Sequence, residues 1–244
     1  MELARNANNI KFRASSIKHL MTEPKSKAAK EAGDLSETAK THLIDIFVSA
    51  KYGRQSDITN KYVEKGLGVE DDSITLYSRV TKTFYKKNEE RLTNDFITGL
   101  PDLYEGESID KANLVIDIKS SWDIFTFFRT QAKDVNDLYY WQMLSYMALT
   151  GAKKAKLAYC LINTPDPLLM DEKRKLVWKM GVLDTDPLYI EACEKLDLLH
   201  TYDDIPINER LYEIEIERDD DAIMAMYAKV AKARDWMNLN LFKI

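Results

Sequence analysis

Cysteine is scarce in this chain: Cys160 and Cys193 are the two among 244 residues. Two thiols cannot supply a four-cysteine iron–sulfur or zinc site. Cys160 lies in an apolar run and Cys193 in an expected helix, so both read as free thiols of a reducing compartment. Long apolar runs are missing as well. None approaches the roughly 18 residues needed to cross a bilayer. The opening stretch, with Arg5, Lys11 and Arg13 among asparagines, has no signal-peptide core. The expectation is a cytoplasmic protein with no membrane partner. There is no P-loop, which excludes an ATP-driven motor of that type, and no G-x-S-x-G elbow. The three histidines, His19, His42 and His200, show no ligand spacing. No internal repeat or low-complexity tract divides the chain.

The chain is 45% hydrophobic, enough for one large domain with a substantial core. Its 35 basic and 40 acidic residues leave a net charge of −5. That balance does not advertise nucleic-acid binding, since such domains are often basic. It does not exclude it, because carboxylates that hold divalent cations subtract from the formal charge.

Taken in order, residues 1–56 read as a helical region, 57–162 as a core and 163–244 as an extension of one domain. Ile17, Leu20 and Met21 suggest a small helix or an ordered arm, followed by a lysine-rich loop. Asp34 is placed to cap a helix that Gly53 ends. A second helical stretch from about Asp57 to Lys65 pauses at Gly66 and Gly68 and resumes at Glu70, with Glu70, Ile74 and Tyr77 on one face. Thr83–Lys86 and Leu92–Thr98 read as strands. Asp134 is placed to cap a helix through Thr150, with Gly151 at its end. Residues 155–162 form a nearly all-apolar strand suited to a sheet interior. Residues 175–182 suggest another strand. Asp186-Pro187 starts a helix, residues 212–217 alternate as an amphipathic edge strand, and a last helix covers about Asp221–Leu239. This order predicts an α/β protein with a central mixed sheet flanked by helices, and an added C-terminal strand and helices.

The most informative stretch is Asn113-Leu-Val-Ile-Asp117-Ile-Lys119. Leu114, Ile116 and Ile118 alternate with Val115, Asp117 and Lys119, the period of a strand. Asp117 and Lys119 then share a face, about 7 Å apart, while the other face is apolar. Asp102 follows Pro101 fifteen positions earlier. An isolated D-x-K is common and by itself most often solvates a strand end. With Pro-Asp upstream it becomes a candidate centre for metal-ion hydrolysis, which needs hard oxygen ligands on rigid elements. Asp102, Asp117 and the Ile118 carbonyl are the candidate ligands. Lys119 is the candidate to orient or deprotonate a water, or to offset charge on a phosphoryl group. General-base work would require a depressed lysine pKa.

Pro-Asp…Asp-x-Lys resembles the signature of the PD-(D/E)XK nuclease superfamily, whose restriction-endonuclease-like core runs αβββαβ. Two further motifs agree. Gln142 and Tyr146, one helical turn apart in an apolar stretch, resemble the Q-x-x-x-Y of the lambda-exonuclease, YqaJ and RecB-type branch. Gly66-Leu-Gly-Val-Glu70 resembles that branch's early Gly-x-x-x-Glu. Read without the resemblance, Gln142 and Tyr146 are core residues, and Glu70 is an acid favoured at a helix N-terminus. The five pieces occur in the family's order over about residues 60–162. The chain departs from the family where Asp72-Ser73-Ile74 follows the early acid, where Asp117 stands for the commoner Glu, and where Leu103 follows Asp102.

The resemblance implies a deoxyribonuclease using one or two Mg²⁺ or Mn²⁺ ions. Glu70 would join the metal site, Gln142 would orient it, and Tyr146 would sit near the DNA phosphates. It also points, more lightly, to Arg13, Ser15, Ser16 and Ser120 as DNA contacts; Ser15 reads equally as a helix cap. The expected activity is an exonuclease of phage recombination or repair type. The alternatives are an endonuclease on the same fold and a catalytically silent DNA-binding or assembly module. Expected partners are DNA, a single-strand annealing or recombination protein and further copies of the chain. The cysteine count excludes the iron–sulfur cluster of a CRISPR-adaptation relative. Trp122, Phe125, Phe127 and Phe128 read as core or interface packing, or as a platform for bases.

Overall fold

The structure is a computed structural model describing residues 5–55, 60–133 and 135–243. Its elements are β1 (Phe12–Arg13), α1 (Lys18–Met21), α2 (Lys27–Glu31), α3 (Glu37–Tyr52), α4 (Lys61–Gly68), α5 (Glu70–Thr81), β2 (Leu92–Thr93), β3 (Ile97–Gly99), β4 (Leu103–Gly106), β5 (Ala112–Ser120), α6 (Ile124–Gln131), α7 (Asp137–Thr150), β6 (Lys154–Cys160), α8 (Asp166–Met180), α9 (Pro187–His200), β7 (Leu211–Glu217) and α10 (Asp220–Asn240). The expected mixed sheet is present, with order β4-β5-β6-β7. Its central pair, β5 and β6, is parallel, and β4 and β7 flank it antiparallel. A small second sheet, β1-β3-β2, stands apart among the described residues.

The alternation read from the sequence sorts β5 between two cores. Ile116 and Ile118 face Ile74 and Tyr77 of α5, together with Leu103 and Ala158. Val115 faces the other way, into a larger cluster with Met143, Leu144 and Met147 of α7, Leu43 of α3 and Met226 of α10. α7 is buried from Gln142 through Met147, as expected of a helix apolar on all sides. Asn136 caps its start by accepting from the Leu138 amide, and Gly151, at φ 81°, ends it. At the sheet's outer edge Lys154 pairs with Glu215 (2.5 Å) and Glu217 (3.1 Å), and Lys156 with Glu213 (3.1 Å).

Several expectations change. Ser36, not Asp34, caps α3 by accepting from the Ala39 amide. Asp57 and Asp134, expected at helix starts, lie outside the described residues. Thr83–Lys86 forms no strand: the Thr83 amide donates to the Ser78 carbonyl and the Tyr85 amide to the Ser78 hydroxyl, folding the segment back on α5. Leu92–Thr98 is split because Asn94 accepts from the Phe96 and Ile97 amides and turns the chain into the β2–β3 hairpin. Residues 175–180 belong to α8, a charged helix stapled by pairs such as Asp171–Lys175 and ended by Gly181. Ser15 lies in a 3₁₀ turn, Ala14–Ser16, with no capping bond. The aromatic run after β5 divides: Trp122 and Phe127 are buried, while Phe125 and Phe128 of α6 are exposed.

Lys65 of α4 is fully buried, at 0% exposure. Burial, the largest influence, draws its ammonium from 10.5 down to about 7, against the smaller opposing pull of Asp123. The unfolded chain keeps that proton up to its ordinary pKa, so between the two values it binds more protons than the folded chain. Stability therefore rises with pH across this window. From pH about 7 toward 10.5 the urea midpoint of the wild-type chain is expected to climb relative to that of Lys65→Met. Parallel pH profiles for the two proteins would refute the assignment.

Candidate active site

The site begins where the β4–β5 ladder ends. Their last paired residues there are Leu103 and Ile116, so the next amide on that side of β5, from Ile118, needs another acceptor. The carboxylate of Asp102 supplies it: the Ile118 amide donates to Oδ2 at 2.7 Å. The main-chain groups of one strand residue leave on the same side, so the Ile118 carbonyl faces that acid too. Asn88 fixes the turn from below. Its amide nitrogen donates to the Asp102 carbonyl (2.8 Å), and its side chain donates to the Pro101 carbonyl (2.9 Å).

Asp117, 2% exposed, faces the same space. Its Oδ1 accepts from Gln142 Nε2 at 3.1 Å, and the same nitrogen donates to the Tyr146 hydroxyl at 2.8 Å. Its Oδ2 has no hydrogen-bond partner of good geometry and lies 2.5 Å from Lys119 Nζ as an ion pair. The Lys119 ammonium also sits 4.8 Å from the centre of the Tyr139 ring. Gly99 of β3 lets α7 approach: a Cβ there would stand 2.8 Å from Tyr146 Cε1.

The electrostatics follow from crowding. Burial, then the charge of Asp117, pushes the Asp102 carboxyl up to about 7, against the pull of the Ile118 amide and Lys119. Burial lowers the Lys119 ammonium, but the adjacent charge of Asp117 outweighs it, and the net shift is upward. Beside ionised Asp117, Lys119 is favoured as a cation. Burial, followed by the charge of Asp117, also raises the Tyr146 phenol, which stays protonated.

Glu70, Asp102, Asp117, Ile118, Lys119, Ser120, Gln142 and Tyr146 all line one cleft of about 720 Å³. Glu70 opens α5 but is held at its rim by Lys87, 2.7 Å away. Among the described residues no three His, Cys, Asp or Glu side chains stand close enough to hold a metal ion together. Asp102 and Asp117 form the acidic pair, and Glu70 stands off. Ser120 shares a hydrogen bond of 2.8 Å with Ser73, tying β5 to α5. Arg13, Ser15 and Ser16 are not among the cleft residues, and the Ser16 hydroxyl donates to the Arg13 carbonyl at 3.4 Å. Among the wall residues that carried no signal in the sequence are Thr126 and Thr130 of α6, Lys133 after it, and Tyr139 of α7.

No protein-family profile matches the sequence, and no curated protein does. Solved structures do. A phage-related exonuclease from Haemophilus somnus 129PT is 30% identical, with a TM-score of 0.73 over 96% of both chains. The alkaline exonuclease LHK-Exo from Laribacter hongkongensis shares the fold at 16% identity, with a TM-score of 0.61 over 95% of this chain and 89% of that one. LHK-Exo in complex with dAMP gives 17% identity and a TM-score of 0.60, over 96% of this chain and 89% of that one. With the acids, the lysine and the Q-x-x-x-Y pair gathered in one cleft, the chain belongs to the phage-related exonucleases, in the lambda-exonuclease/YqaJ-like branch of the PD-(D/E)XK superfamily.

Proposed function

We propose that this protein is a divalent-metal-dependent deoxyribonuclease that removes nucleotides from DNA ends, in a recombination or repair setting of phage type. The single observation that carries the reading is that a partly buried carboxylate, Asp102, and a buried one, Asp117, line one cleft at the open end of β5 with Lys119 beside them. Burial and, after it, the charge of Asp117 raise the Asp102 pKa, and a cation would relieve both. A partly unsatisfied carboxylate oxygen, Asp117 Oδ2, faces the same place. Both features suit an Mg²⁺ or Mn²⁺ ion held by Asp102, Asp117 and the Ile118 carbonyl. Glu70, ion-paired with Lys87 in this structure, would be the third acid. When bound, one or two such ions supply Lewis-acid activation of phosphate and water.

The chain's own residues do the rest. Gln142 holds Asp117 in one orientation, and Tyr146 holds Gln142. Lys119, kept cationic, offsets the charge that grows on the phosphoryl oxygens. Ser120 and the polar wall of Thr126, Thr130 and Lys133 are suited to the sugar–phosphate backbone. That LHK-Exo, of the same fold, is solved in complex with dAMP supports a deoxynucleotide as ligand. Arg13, Ser15 and Ser16, outside the cleft, are DNA contacts in this reading only if the duplex extends over the small sheet. A single-strand annealing or recombination protein and further copies of the chain remain the proposed partners. Among the described residues no helix is long and apolar enough to cross a membrane.

The deciding experiment is a gel of end-labelled linear duplex with Mg²⁺ or Mn²⁺ titrated, beside a closed circular control. Loss of label from linear DNA alone supports the exonuclease; nicking of the circle makes it an endonuclease; no cleavage with either metal leaves a silent DNA-binding module. Asp117→Asn is expected to lower cleavage by about 100-fold or more while DNA still binds. Near wild-type rates in that variant would remove Asp117 from the chemistry. Gly99→Ala is expected to displace the Tyr146 ring, costing about 1–3 kcal/mol of stability and about tenfold in rate. A variant matching the wild type in both rate and urea midpoint would mean that the close approach of β3 to α7 has no bearing on the site.

A further inference from the structure

The cleft has two helical walls. Tyr62, Val63, Gly66 and Leu67 of α4 form one, and Thr126 and Thr130 of α6 belong to the other. Lys65 points away from the cleft into the protein, where its Nζ donates to the main-chain carbonyl of Trp122 at 2.8 Å. Trp122 lies in the turn of residues 121–123, where β5 ends and α6 begins. The side chain runs beside two rings, with Nζ 5.8 Å from the Trp122 centroid and 5.7 Å from that of Tyr202. Behind Trp122 stands His200, ring to ring at 5.0 Å, itself bonded to Thr164 at 2.9 Å.

No carboxylate is within ion-pair distance of Lys65 among the described residues. Asp123 supplies a Coulombic pull, but its side chain caps α6 by accepting from the Thr126 amide at 2.6 Å. Lys61 lies over the Trp122 ring at 4.5 Å and is paired with Glu172. A buried amine without a counter-ion is costly, and methionine would fill the same space between the two rings without that cost. What lysine adds is one donor, and that donor meets the carbonyl of a turn outside the strand ladder. An ammonium and a neutral amine both donate, so the bond holds in either charge state.

We propose that Lys65 is a positioning residue for the reaction: its bond to the Trp122 carbonyl pins the turn after the active strand against α4 and fixes the separation of the two walls in front of Lys119. The proposal rests on reading this cleft as the active site. It is tested with Lys65→Met, which keeps the volume and removes the donor, and Lys65→Gln, which restores a shorter one. Amide exchange read by mass spectrometry reports the tie directly, and cleavage of end-labelled linear duplex reports its effect.

In Lys65→Met, exchange over residues 61–68 and 119–126 is expected to rise by about tenfold or more while residues 154–160 keep their protection. kcat is expected to fall by about tenfold or more, with KM for DNA within about twofold of the wild type. Lys65→Gln should recover part of both. A folded Lys65→Met with wild-type exchange and wild-type kcat overturns the proposal. So does loosening spread across the sheet, or failure of both variants to fold, since either assigns Lys65 to overall stability. If the wild type itself does not cleave, the nuclease reading fails on its own, and the exchange data still decide whether the tie exists.

Discussion

The hydrogen bond from the Ile118 amide to Asp102 is the constraint on which the site depends. It exists because β4 stops pairing before β5 does, leaving a strand amide that must find an acceptor. The acceptor is a side chain rather than another strand, and that side chain is an acid. Asp102 is thereby brought beside Asp117, although burial and like charge both oppose it. Ile116 and Ile118, packed against α5, keep β5 from shifting register, since a slip of one residue would send Asp117 into the core. The reactive arrangement is thus a by-product of how one sheet edge is terminated.

The second determinant is α7. A helix buried through its middle, from Gln142 to Met147, offers a rigid support, and its two polar side chains at this face, Gln142 and Tyr146, are spent on Asp117 and on each other. Gly99 sets how near β3 comes to that helix. The acid on the strand, the amide on the helix and the small residue on the neighbouring sheet act together only at this separation. This is the sort of support that keeps functional groups within the tight tolerances chemistry requires.

Much of this was legible from residue order. The strand through Asp117 and Lys119 showed in its strict alternation, and Gln142 showed because an amide interrupts an apolar run. The edge strand β7 was readable from the same alternation, and β6 from its nearly all-apolar run. Where the reading failed, local side-chain bonding had overridden strand propensity, as Ser78 does at Tyr85 and Asn94 does in the β2–β3 turn. The strand expected at 175–182 was a charged helix whose apolar residues mimic a short run. Asn88, Lys65 and the threonines of α6 could not have been found: each is an ordinary residue type in an ordinary context, and its role arises from which distant carbonyl or wall it meets. Lys119 was readable in place but not in charge state, because its net shift depends on a 2.5 Å contact with Asp117.

The outer rim of the mixed sheet has a separate consequence. β7 ends the sheet with Glu213, Glu215 and Glu217 in a row, partly neutralised by Lys154 and Lys156 of β6. Such pairs add little to folding stability where water reaches them. They matter for what they repel. A second chain trying to dock along this exposed backbone would set its own glutamates against these three, so the sheet resists being lengthened into fibrils by edge-to-edge growth.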